Sequence, residues 1–308
     1  MKKHILQASP SNWSSLDENY SHSYWRILLI IASISSFAVL IVYNQTNNHD
    51  INNLLGFKDN QSEWFYYILY SLYVWQALWL IYGSTTIIRK SSDDYFYKYP
   101  PVMHWIVYAN FLISNLLNLC GSLLINNRIY ILSTFYYFLI FIAIFISLTL
   151  SILQLNDYQR EMYYTEKHMD IWLIRILVQN GLLFYASWAF IFLLVNLNIT
   201  LVYEFNVSTQ VSSLIMLAAL NMKAVLSFVL ENCLFYKYLK FLFTSWLLSI
   251  VFLIIFIIQF KHSLSSYYDL TFMSSLLTLF NFMTLFIIKV IIFLRKEIFS
   301  KNIHNNSM

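Results

Sequence analysis

The sequence predicts an all-α membrane protein of eight transmembrane helices. Three observations carry that expectation. First, 59% of the 308 residues are hydrophobic and only 11% are charged, where soluble domains carry about a quarter charged residues. Second, the apolar residues gather into runs of the roughly 20 residues needed to cross the hydrocarbon core. Third, three prolines and four glycines leave those runs unbroken. No alternating barrel pattern is present, and lipid offers an open backbone no partner, so each run reads as a helix.

The runs occupy 25–43, 64–88, 102–125, 129–154, 171–203, 211–235, 241–260 and 270–294. Trp25, Trp64, Trp105 and Trp172 stand near run ends, where aromatic belts form. The third and fourth runs are separated only by "NNR" (126–128), and the sixth and seventh by "KYLK" (237–240). Residues 1–24 lack the apolar core of a cleavable signal and read as a cytoplasmic N-terminal segment, with 295–308 as a cytoplasmic tail.

Lysine and arginine set the expected orientation. With the N-terminus inside, inner segments hold fourteen of these residues and outer loops only Lys58, Arg128 and Lys261. Both termini are then cytoplasmic. Sequons begin at Asn44, Asn60 and Asn206 in the expected outer loops, but also at Asn12, Asn198 and Asn305, so they carry little weight. Cys120 and Cys233 fall in opposite halves of the membrane, which argues against a disulfide.

Several function classes find no support. Metal-ligand clusters, phosphate loops and nucleophile elbows are missing, which points away from an enzyme and gives no sign of a cofactor or metal. Asp93-Asp94, Asp157 and Glu161 read as solvated loop charges. The net charge of +4 is scattered and does not suggest nucleic acid. Pro10, Pro100 and Pro101 all lie outside the run interiors, so the broken helices of many transporters are not expected.

Polar and aromatic groups inside the runs are the more informative feature. Trp75 and Trp79 are four apart and share a helix face, with Gln76 beside them. Asn115 and Asn118 sit in the third run, and Tyr185, Trp188 and Asn196 in the fifth. Their common depth suits a pocket for a ligand, although amides and aromatics also pack between helices without one. Lys223 lies deep in the sixth run, where a charge costs about 2.5 kcal/mol or more on insertion scales and needs a partner. Glu231, eight residues on, is about 12 Å away along the axis. Lys289 is expected to snorkel toward water.

Tyr185, Trp188 and Val195-Asn196, together with Leu117-Asn118 and the "LYS" at 69–71, resemble the tryptophan-rich sensory and mitochondrial translocator proteins, the TspO family. "WQALW" (75–79) and "LIRILVQNG" (173–181) are similar to a multi-pass animal branch. The resemblance covers 25–203 and implies a five-helix bundle with an aromatic cavity for tetrapyrroles or sterols. Gly121 stands where that family has a third-span Trp, and "FKDNQSE" replaces its proline-rich loop. The expectation is thus a TspO-like bundle over 25–203, with three additional helices over 204–294. The bundle binds, transports or senses a small hydrophobic or amphipathic ligand. Trp75, Trp79, Asn118, Tyr185, Trp188, Asn196 and Lys223 are the candidate binding residues. The alternatives are a transporter or channel-like protein using Lys223 and Glu231, and a structural membrane protein. The lipid bilayer is the expected partner, in the plasma membrane or endomembranes rather than mitochondria.

Overall fold

The computed structural model describes residues 22–54, 63–89, 103–164, 167–263 and 270–306. Residues 1–21, the sequon at Asn60 and the pair Asp93-Asp94 lie outside the described residues. Each apolar run coincides with a helix: α1 (His22–Leu54), α2 (Glu63–Ile88), α3 (Trp105–Asn126), α4 (Tyr130–Tyr164), α5 (His168–Tyr203), α6 (Thr209–Leu234), α7 (Thr244–Ser263) and α8 (Leu270–Asn306). No strand occurs among the described residues. Among the described residues, six of the helices (α1, α3, α4, α5, α6 and α8) are long and apolar enough to cross a membrane, and α7 adds a shorter apolar stretch, Thr244–Ile258. Tyrosines, Trp75, Trp79 and Gln76 dilute the apolar character of α2.

Both narrow breaks are turns. After α3 the chain reverses at Arg128, which takes the left-handed conformation at φ 61°. The Asn127 and Ile129 amides return to Leu123 and Leu124 carbonyls, closing the helix end. Asn206, at φ 53°, closes α5 in the same manner, with the Val207 amide on Leu201 O. Ser208 then caps α6 through the Val211 amide. Between α6 and α7 the chain makes one helical turn, Tyr236–Leu239.

Hydrogen bonds between helices give their relative directions. Ser33 and Ser36 of α1 meet Tyr108 O and Asn115 of α3, both numbers rising together, so these helices run parallel. Gln76 meets Gly181 O while Arg89 meets Asp170, so α2 and α5 are antiparallel. Antiparallel order also holds for α4 and α5, through Ser133–Asn196 and Gln159–Arg175. The pairs Asn221–Thr278 and Glu231–Lys289 make α6 and α8 parallel. Arg26, Arg89, Arg175, Lys240 and Arg295 consequently gather at one end of the bundle.

Two apolar cores share α5. One joins α1 to α5 around Trp79, Phe111, Ile144 and Leu182. The other joins α5 to α8 around Leu220, Trp246 and Phe282. Burial ranks the helices accordingly: 56% of the apolar stretch of α5 is buried, against 17% for α8. Small residues let the helices approach, as expected where lipid supplies no hydrophobic drive. Ser33, Ser114, Ser133 and Ser147 are fully buried, and Gly121 faces the Tyr137 ring. Leu116, Ile142, Phe145, Leu277 and Phe280 point outward, a surface suited to acyl chains.

Candidate functional site

The five-helix half encloses a cavity at the end opposite the basic cluster. Every one of its helices contributes polar groups: Asn44 from α1, Tyr73 and Gln76 from α2, Asn115 and Asn118 from α3, Tyr137 from α4, and Tyr185 from α5. Phe37, Trp188 and Phe192 supply its apolar walls. The space amounts to about 30 Å³, room for one or two waters. Each lining residue is neutral at physiological pH.

Hydrogen-bond lengths divide the cavity from its frame. The frame is tight. Trp79 donates to Gln76 Oε1 at 2.5 Å and Gln76 donates to Gly181 O at 2.9 Å. Asn115 donates to Ser36 Oγ at 3.1 Å, and Asn44 to Tyr73 Oη at 2.6 Å. Bonds facing the space are slack. Tyr185 reaches Asn115 Oδ1 at 3.4 Å, and Tyr137 reaches Asn118 Oδ1 and Ser122 Oγ at 3.5 Å. Distances that long are at the weak limit of hydrogen bonding, and a guest oxygen between these groups would improve on them. Rings hold the frame in place: Phe111 lies edge-on to Trp79 and Tyr185, and Trp188 and Tyr137 both pack on Phe192.

Asn118, Tyr185 and Trp188 thus line one space, while the other candidates lie elsewhere. Trp75 packs on Phe184 and donates to Leu177 O at 3.2 Å, on the α2–α5 seam. Trp79 is fully buried behind Gln76. Asn196 accepts from Ser133 and donates to Phe192 O, tying α4 to α5. Lys223 belongs to the second half of the molecule, where it donates to Ser249 Oγ at 2.8 Å and stands 5.9 Å from the Phe282 ring centre. Asn44, read as an outer-loop sequon, is part of α1 and holds Tyr73.

Two expectations need correction: Asp157 and Glu161 stand in the last turns of α4 rather than in a loop, and Lys289 is buried. Lys289 does not snorkel: it is 2% exposed and pairs with Glu231 at 2.5 Å. It also donates to Leu242 O, while Trp246 donates to the same carboxylate oxygen at 2.8 Å. A π-helical turn, Leu230–Leu234, places Glu231 in this position. Glu231 lies near the end of α6, but Trp246 of α7 and Lys289 of α8 cover that end.

Two further features stand out in the structure. Tyr137 completes the cavity beside Tyr73, whose depth in the second run already matches that of the candidate residues, and Tyr137 is conspicuous only once the helices are arranged. Asp170, in the first turn of α5, receives both arms of Arg89 and the hydroxyl of Tyr82. The signal was there, since an aspartate beside the apolar run "IWLIRILV" needs a cation. Compared with known proteins, the chain matches no family model, no curated protein and no solved structure.

Proposed function

We propose that this is an eight-span membrane protein, both termini cytoplasmic, which binds a neutral amphipathic ligand between α1 and α5. The single observation behind the reading is the convergence of Asn115, Asn118, Tyr137 and Tyr185 on one space with slack hydrogen bonds. Polar groups meeting within an aromatic-walled cavity are the usual pattern of a small-molecule site. The lining suits a hydroxyl or carbonyl tip. With no cation among its walls, it suits a sterol-like molecule better than a tetrapyrrole bearing carboxylates.

Size limits what enters. Sites for drug-sized ligands measure about 300–1,000 Å³, so the present cavity takes only the polar tip, and the ligand body requires α1 or α2 to move outward. The TspO resemblance joins the proposal at this point, because Tyr185 and Trp188 both carry it and line the cavity. The reading is of a binding protein, with transport or sensing as its use and the secretory-pathway membranes as its location. An ion path through Lys223 and Glu231 has less support. Each is already partnered, and Trp246 packed on Phe282 stands between them.

The test is titration of detergent-purified protein with a fluorescent sterol and with protoporphyrin, read as tryptophan quenching. The sterol is expected to saturate, and Tyr185→Phe to weaken it about fivefold, the value of one hydrogen bond near 1 kcal/mol. Unsaturable quenching by both probes overturns the cavity reading. Saturation by protoporphyrin alone overturns the neutral-ligand assignment.

A further inference from the structure

The basic end of the bundle holds a second feature, separate from the cavity and independent of the ligand proposed for it. The single turn Tyr236–Leu239 and the following residues to Phe243 form a platform between α6 and α7. Asn180 of α5 stitches it down: its side chain donates to Phe241 O at 3.0 Å and accepts from the Phe243 amide at 3.2 Å. Thr244 adds a bond to Asn180 O at 2.9 Å. Lys289 of α8 holds Leu242 O from the other side. The segment is therefore fixed from two helices.

Cations crowd this platform on aromatic supports. The Arg175 guanidinium and the Lys240 ammonium lie 4.4 and 4.7 Å from the centre of the Phe241 ring. Lys296 of α8 sits 3.6 Å from the Tyr236 ring, and Lys237 stands 5.4 Å from that of Tyr238. Lys237 and Lys240 are three apart and share a face of the turn. Lys237, Arg295 and Lys296 are exposed, and no ion pair with a carboxylate is formed by them among the described side chains. Leu234, Phe235 and Leu294 are also exposed beside them. Like charges gathered on a fixed surface repel one another, and an anion relieves that repulsion.

We propose that this platform binds the phosphate headgroup of an anionic phospholipid. Lys237, Lys240 and Lys296 meet the headgroup, and the apolar residues next to them meet its acyl chains. Basic pockets between transmembrane helices on the cytoplasmic side bind such headgroups in general. On the orientation proposed above, this end faces the leaflet that carries anionic lipid. Prior fixation by Asn180 and Lys289 removes much of the ordering cost of binding.

Native mass spectrometry of the purified full chain tests the assignment, with phosphatidylinositol 4-phosphate and phosphatidylcholine as probes. The anionic lipid is expected to bind at least tenfold more tightly. A K237Q/K240Q/K296Q variant is expected to lose that preference, and K237Q alone, an exposed change that spares the fold, to weaken it about fivefold. A control variant with the same charge loss at other sequence positions, K2Q/K3Q/K301Q, is expected to keep it. Equal binding of the two lipids overturns the proposal, as does an equal loss in the control, which would mean a diffuse charge effect. Competition by the soluble inositol phosphate headgroup at the same strength overturns the lipid assignment.

Discussion

Asp170 accepts both arms of the Arg89 guanidinium, at 2.7 and 2.8 Å, and so ties the end of α2 to the first turn of α5. Tyr82 donates to the same carboxylate at 3.3 Å. The Asp170 side chain is only 5% exposed, whereas Arg89 is 47% exposed. The bonds from Asp170 hold the guanidinium proton more firmly than usual, against the opposing effect of partial burial. A carboxylate near a helix N-terminus is further favoured by the helix dipole. Together with the Trp75–Leu177 and Gln76–Gly181 bonds, this pair holds against α5 the wall that carries Tyr73 and Gln76.

Arg89→Gln leaves a buried carboxylate without its cation. The expected loss is about 1–3 kcal/mol, the cost of an unsatisfied buried group, at the lower end because Arg89 is half exposed. Asp170→Asn in the Arg89→Gln background recovers part of it. Denaturation in SDS–detergent mixtures, run as a double-mutant cycle, measures both, and additivity of the two changes contradicts the coupling.

A larger effect is expected at Lys289. Its ammonium and Glu231 are both buried and hydrogen-bonded to one another, so Lys289→Met strands the acid and costs about 3–5 kcal/mol. Replacing both, with Glu231→Gln, restores most of the stability, since a neutral amide still accepts from Trp246. The same unfolding assay reads the outcome, and a double variant as unstable as Lys289→Met contradicts it.

Gly181 marks the close crossing of α2 and α5. A Cβ there meets Trp75 Cδ1 at 2.9 Å and Trp79 Cδ1 at 3.3 Å. Trp75 is half-buried and can shift, but Trp79 is fully enclosed. Gly181→Ala is expected to cost about 1–3 kcal/mol by overpacking, with a change in near-ultraviolet circular dichroism from the displaced indoles. An unchanged spectrum and stability contradict the crossing as described.

The helices were legible in the sequence because apolar length and the scarcity of proline and glycine are local signals. Even the short breaks at Arg128 and Lys237–Lys240 could be placed. The partners of buried charges were not. Asp170 finds its cation 81 residues away and Glu231 finds Lys289 58 residues away, and no periodicity within one run states which neighbour it faces. Lys289 was misplaced for that reason: near a helix end, snorkelling and pairing look alike until α6 and α7 are set beside it. The π-helical turns at Ile174–Gln179 and Leu230–Leu234 were also invisible, since an inserted residue leaves an apolar run apolar. In the cavity, Tyr185, Trp188 and Asn118 were singled out by chemistry and depth. Trp75, Trp79 and Asn196 share that chemistry but face helix seams, a distinction of rotation about the helix axis that composition does not encode.

Photolabelling with a diazirine-bearing cholesterol analogue, followed by peptide mapping, tests the ligand cavity most directly. Adducts are expected on peptides that line it, around Tyr73, Asn118 and Tyr185, with suppression of those adducts by excess unlabelled sterol. Labelling confined to the lipid-facing side chains such as Leu116, Ile142 and Phe145, and indifferent to competitor, would contradict the cavity reading.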